Sequence, residues 1–329
     1  MRTTLHGQHL KAKPRAALLE QLVGNTPLIG FRHLTAHLPE YVAVYAKAEW
    51  HNPGGSVKDR AALNIIRAAE AAGRLTPDKI ILDSTSGNTG IALAMFGAAR
   101  GYRVLLFVPE NASPERLQVL RAFGAEVYFT DALEGSDGAL LAARELAERE
   151  PDRYFYADQY NNPANWQAHY YGTAVEIWEQ TRGQITHFVA AMGTSGTFVG
   201  TTRRLKACNP DIQAVSLQPD SPFHGLEGLK HMATAIRPGI YDESLADASL
   251  GISTEAAYAM VLRLARQEGL LVGLSSGAAM VGALQVAEQA AEAGRPATIV
   301  TIFADNGYKY LSGPPYRQLK ADGTEAGPP

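Results

Sequence analysis

Short apolar runs, separated by segments of helical periodicity, constrain this chain most. Val104-Leu105-Leu106-Phe107-Val108 is apolar at every position. A strand with one wet face alternates, so an unbroken run of this length predicts a strand covered on both sides, as in parallel sheets. Ile80-Ile81-Leu82, Glu126 to Phe129, His187 to Ala191, Gln213 to Leu217 and Thr298 to Phe303 read as further strands. Helices are expected between them, from Lys58 to about Gly73, over Ile91–Arg100, from Ser113-Pro114 to near Gly124, over Asp137–Glu148, over Asn165–Thr181, and up to about Ala207. Two more are expected over Thr254–Gln267 and Gly277–Ala293, and residues 218–252 read as irregular. Repeated β-α units of this kind give an α/β protein with parallel sheets.

Composition narrows the function. With 46% hydrophobic and 19% charged residues the chain has the make-up of an ordinary globular protein with a sizeable core. A formal net charge of -3 without a Lys/Arg cluster argues against nucleic acid as a partner. The single cysteine, Cys208, leaves no internal disulfide framework, and the histidines show no metal-ligand spacing, so no metal is expected. No apolar run spans a bilayer and the N-terminus has no signal-peptide core, which points to a cytoplasmic protein that does not enter membranes.

Three stretches carry chemistry. Asn52-Pro53-Gly54-Gly55 is turn chemistry, and Ser56 and Asp59 have the spacing of an N-cap and its partner. Lys58 then falls in the first turn of a helix, where the macrodipole disfavours a cation. Such a lysine is either a solvated surface group or one that works as a neutral amine. Gly193-Thr194-Ser195-Gly196-Thr197 joins an apolar strand to a helix. It is either a plain capped turn or an anion cradle of amides and hydroxyls. Ser84-Thr85-Ser86-Gly87-Asn88-Thr89-Gly90 has the same strand-loop-helix setting. Two cradles suit a ligand with two anionic ends.

In this order, these stretches together with Gly273-Leu274-Ser275-Ser276-Gly277 and Asn25-Thr26-Pro27-Leu28 resemble the cysteine synthase and cystathionine β-synthase family over roughly residues 20 to 312. The resemblance is closest to its cysteine synthase B branch, through Leu226 to His231, Arg237 to Tyr241, Arg266 to Leu270 and Tyr308 to Ser312. It implies the two-lobed fold of type II pyridoxal 5'-phosphate enzymes. The larger lobe would comprise about 24–50 and 162–329, the smaller, mobile lobe about 51–161, and residues 1–23 an N-terminal extension. A homodimer is implied as well.

The resemblance also assigns roles. Lys58 would bind the cofactor and act as general base. Gly193, Thr194, Ser195, Gly196 and Thr197 would hold its phosphate, and Ser275 its pyridine nitrogen. Thr85, Ser86, Asn88 and Thr89 would grip the substrate carboxylate, with Asn88 also reaching the cofactor's phenolic oxygen and Gln159 nearby. Lys230 aligns with a basic pair of the branch that accepts thiosulfate, and is expected to contact an anionic sulfur donor. The implied reaction is β-replacement of O-acetyl-L-serine by sulfide, or by thiosulfate, to give L-cysteine. Asp220 stands where a branch using O-phosphoserine carries arginine, which favours the acetyl ester. Cystathionine synthesis from serine and homocysteine, O-phosphoserine sulfhydrylation, serine or threonine dehydration and a non-catalytic binding role remain as alternatives.

Overall fold

The computed structural model describes residues 17–85 and 87–319. Ten strands among them form two sheets. The strands are β1 (Leu28–Gly30), β2 (Val42–Ala48), β3 (Ile80–Ser84), β4 (Arg103–Pro109), β5 (Glu126–Thr130) and β6 (Tyr154–Tyr156) in the first half. In the second half they are β7 (His187–Ala191), β8 (Gln213–Pro219), β9 (Ala248–Ile252) and β10 (Ala297–Phe303). The larger sheet has the order β1-β2-β10-β7-β8-β9 and the smaller β5-β4-β3-β6. Every pairing is parallel except β1 on β2. The apolar runs thus do what their lack of alternation predicts: Ile299, Val300 and Phe303 are wholly buried on a central strand.

The helices are α1 (Lys58–Ala71), α2 (Asn88–Arg100), α3 (Pro114–Ala122), α4 (Gly135–Arg149), α5 (Pro163–Ala168), α6 (Ala174–Gln180), α7 (Gly196–Cys208), α8 (Thr254–Glu268) and α9 (Leu274–Glu292). α8 and α9 bury Val261, Leu264, Ala279, Met280 and Ala283 on one face of the larger sheet, in a core shared with Val44, Val189 and Leu217. α6 and α7 cover the other face through Ile177, Phe198 and Leu205. In the smaller sheet, α1 and α2 pack with Ile81, Val104 and Leu106. α4 covers the opposite face over Ile80, Leu82 and Phe107.

Four details depart from the sequence reading. Residues 218–252 contain strand β9, an edge strand with mostly exposed side chains and no apolar run to announce it. The apolar run Leu270 to Leu274, which reads as a strand by sequence, forms none: Val272 makes one isolated bridge to Asn306, and α9 begins at Leu274 behind an N-cap at Gly273. The helix expected over Asn165–Thr181 is interrupted by a π-helical turn, His169–Thr173. The expected capping pair is not reciprocal. Ser56 Oγ accepts from the Lys58 amide at 3.2 Å, while Asp59 reaches back to the Gly54 amide at 2.5 Å.

Candidate active site

In parallel sheets, backbone turns at the C-terminal strand ends carry the functional groups. Here the Lys58 turn follows β2, the 193–197 loop follows β7 and Asp305 follows β10, and these three strands are neighbours in the larger sheet. The loop before Asn88 follows β3, and Gln159 follows β6, its neighbour in the smaller sheet. All five segments converge, and one cleft is lined by Lys58, Thr85, Asn88, Thr89, Gln159, Gly193, Thr194, Thr197, Lys230 and Ser275. Ser195 and Gly196 lie in the same loop but behind this surface. Ser86 lies outside the described residues.

The Lys58 turn is fixed at several points. Val57 N–H donates to the Ala304 carbonyl at 2.8 Å, the Asn52 side chain donates to Glu49, and Gly54 is held by Asp59. The Lys58 amine has no hydrogen-bond partner among the described residues. Burial pushes its pKa below the usual lysine value, against the opposing pull of Asp305. Burial also raises Asp59 to about 7, although the Gly54 amide works the other way.

The 193–197 loop opens α7. A side chain on Gly193 would run into the Gly228 carbonyl, so only glycine allows this approach. Ser195 sits at φ 68, a left-handed conformation rare outside glycine. Such strain marks functional turns. Its Oγ is buried with no partner among the described residues. Free amides of a helix start and two threonine hydroxyls on the cleft match a phosphate's need for donors. With an unbonded amine in the same cleft, the donor set fits pyridoxal phosphate.

On the opposite wall the Thr85 hydroxyl accepts from the Gly87 and Gly90 amides at 3.0 and 3.1 Å. Thr89 donates to Gln159 Oε1 at 2.7 Å, and Gln159 Nε2 donates to the Ser84 carbonyl at 2.7 Å. Asn88 is held at both ends: Nδ2 donates to Asp305 at 2.8 Å, and Oδ1 accepts from Lys309 at 2.7 Å. Ser275 lies in the first turn of α9, half-buried, and lines the cleft.

Lys230 is not a solvated loop lysine. It is 6% exposed and pairs with Asp137 of α4 at 2.5 Å, with its ammonium 5.0 Å from the Tyr160 ring centroid. Arg116 of α3 pairs with Glu227 on the facing loop and lies 4.7 Å from the Tyr310 ring centroid. Asp305 accepts from Tyr310 at 2.8 Å as well as from Asn88. Sequence reasoning passed over Asp305, Arg116, Tyr310 and Asp137. Only Asp305 carried a readable signal, as an acid just past the end of a buried parallel strand.

Comparison with known proteins gives the family. Residues 19–305 match the family model described as "Pyridoxal-phosphate dependent enzyme". The chain belongs to that family. It is 52% identical to a cysteine synthase of Aquifex aeolicus over 301 residues, covering 91% of this chain and 92% of that one. It is 43% identical to cysteine synthase B of Escherichia coli, over 89% of this chain and 94% of the other. A crystal structure of cysteine synthase (OASS) from Entamoeba histolytica superposes with a TM-score of 0.87 at 34% identity, covering 99% of this chain and 97% of that one. This is a pyridoxal-phosphate-dependent enzyme of the type II fold, and its kinship is with the cysteine synthases. Among the described residues no helix is long and apolar enough to cross a membrane.

Proposed function

We propose that the enzyme makes L-cysteine by replacing the acetoxy group of O-acetyl-L-serine with sulfide. One observation carries the reading: two donor-rich loops, from two different sheets, face each other across the cleft that also holds the unbonded Lys58 amine. Bound pyridoxal phosphate supplies an electron sink for the bond electrons released at the substrate's Cα. The chain supplies the rest. The 193–197 loop holds the phosphate and leaves Lys58 aimed into the cleft. Thr85, Asn88, Thr89 and Gln159 bind the substrate carboxylate, and Ser86 belongs to the same loop. Lys58, its pKa lowered by burial, takes the Cα proton as acetate departs and returns it after sulfide has added at Cβ. Ser275 offers a hydroxyl to the ring nitrogen. A carboxylate there would hold the ring protonated, so a serine keeps the sink moderate, which suits β-replacement.

Residues 51–161 would form the lobe that closes and 24–50 with 162–329 the lobe that holds the cofactor, with 86 and 320–329 lying outside the described residues. Closure excludes water from the reactive intermediate stage. The reading takes the protein as cytoplasmic and homodimeric, with thiosulfate as a second sulfur donor. Product analysis decides between substrates: L-cysteine and acetate should form from O-acetylserine plus sulfide, with serine plus homocysteine giving at most a trace of cystathionine. The reverse ratio would overturn the proposal. Lys58→Ala should abolish covalent fixation of the cofactor by borohydride and abolish turnover.

A further inference from the structure

The two threonines on the cleft side of the 193–197 loop are supported from behind by a single helical run. Asn165 in α5 and His169 in the π-helical turn stand four residues apart, the spacing that brings side chains to one helix face. Asn165 Nδ2 lies 2.7 Å from the Gln159 carbonyl and 3.0 Å from Thr194 Oγ1. The carbonyl can only accept, so the nitrogen is the amide atom that faces it. The same nitrogen therefore donates to Thr194. His169 Nε2 lies 3.3 Å from Thr197 Oγ1, and its Nδ1 lies 2.9 Å from Thr173 Oγ1. His169 is 1% exposed and Thr173 wholly buried. Close packing holds the arrangement: a Cβ on Gly200 of α7 would fall 2.9 Å from His169 Cβ.

We propose that His169 is a positioning residue whose neutral ring carries its proton on Nε2 and donates it to Thr197. A hydroxyl has one proton to give. If Nε2 accepted from Thr197, that proton would point away from the cleft and Thr197 would offer an anion only lone pairs. With Nε2–H, Thr173 donates to Nδ1, Thr197 accepts from behind, and its own proton is free for the cleft. Asn165 does the same for Thr194. Both loop hydroxyls are then preset as donors to a phosphate, without waiting for it to turn them. A neutral ring is what the surroundings enforce: burial first, then Arg60 and Lys58, hold His169 well below the usual histidine range. The inference, tautomer included, rests on the reading of 193–197 as the phosphate loop; the measurement of the tautomer does not depend on it.

The tautomer is read directly by nitrogen-15 NMR of histidine-labelled cofactor-loaded protein, where Nε2 should be the protonated nitrogen. The second measurement is the Kd of cofactor-free protein for pyridoxal phosphate. His169→Phe, which fills the space and donates nothing, should weaken it about three- to tenfold, the loss expected for one hydrogen bond. His169→Gln, whose amide nitrogen mimics Nε2–H, should recover most of that loss. The effects of His169→Phe and Thr197→Val should not add, because both remove the same bond. A ring protonated on Nδ1, additive effects, or a glutamine no better than phenylalanine would each overturn the proposal. If Thr197→Val alone leaves the Kd unchanged while Nε2 is protonated, the phosphate-loop reading fails and the positioning of Thr197 by His169 stands.

Discussion

Glu176→Gln strips one of two anions from a buried cluster below the Lys58 helix. Glu176 pairs with Lys47 at 2.6 Å and with Arg60 at 2.7 Å. Arg60 keeps a second partner, Glu49, through bonds of 2.7 and 2.8 Å. Lys47 does not: it is wholly buried, and its other bond is to the Thr26 carbonyl at 2.5 Å. The substitution leaves a buried ammonium without its ion-pair partner, attracted only at longer range by Glu49, which Arg60 already engages. Breaking one side of such a pair costs about 3 to 5 kcal/mol. The carboxylate's own shift agrees in size. Glu176 is lowered from 4.5 to about 2; burial opposes that shift and is outweighed by the bonds and charges of Arg60 and Lys47. At about 1.4 kcal/mol for each tenfold change in proton affinity, the shift amounts to about 3 kcal/mol.

Urea unfolding of the cofactor-free protein at several pH values is the assay. The wild type should lose the Glu176 contribution only in acid, as pH falls from the unfolded value toward about 2. The variant should show an alkaline slope that reaches further toward neutral pH than in the wild type. Burial already depresses Lys47, and without Glu176 it drops further. The unfolded chain then binds the extra proton, so stability rises with pH up to the ordinary lysine range. Adding Lys47→Met to Glu176→Gln should restore much of the loss, since the stranded charge is gone. A loss below about 1 kcal/mol, the range of surface pairs, with no such extension of the alkaline slope, would refute the argument.

Two further predictions concern the chemistry. Ser275→Asp should keep cofactor binding but slow turnover with O-acetylserine, and an unchanged kcat would remove the proposed electronic role of that hydroxyl. Because Lys230 is already paired with Asp137, Asp137→Asn should lower the KM for thiosulfate and Lys230→Ala should raise it, both sparing sulfide and both fading with added salt; equal effects on the two donors would leave Lys230 a structural lysine.

The parts legible in the sequence were those with local causes. Buried parallel strands betray themselves by unbroken apolar runs, and β4 and β10 were read close to their ends for that reason. The donor loops were legible because glycines, threonines and a strand-to-helix junction occur within a few residues of each other. β9 was not, because an edge strand with one buried residue leaves no periodic trace. The π-turn at His169–Thr173 was not, because widening one helical turn needs no breaker residue. The partners of Lys230 and Arg116 were beyond reach for a different reason. Asp137 is 93 residues from Lys230, and Glu227 is 111 from Arg116. Nothing local ties charges that meet only when two sheets face each other.

If the two lobes close as proposed, those distant pairs bear on how the cleft would open and shut. Lys230–Asp137 and Arg116–Glu227 each join a helix packed on the smaller sheet to the loop between β8 and β9 of the larger. Asn88, at the start of α2, is tied on the far side to Asp305 and Lys309. Each tie is polar, and each connects elements from opposite sides of the cleft. A packed apolar seam resists sliding in proportion to its area, whereas a polar tie can exchange its partner for water or a ligand at small net cost. The cleft is therefore held by contacts that an anionic substrate can compete for. A carboxylate near Asn88 or an anion near Lys230 would replace a tie with a ligand contact, so binding and the proposed lobe movement would draw on the same groups.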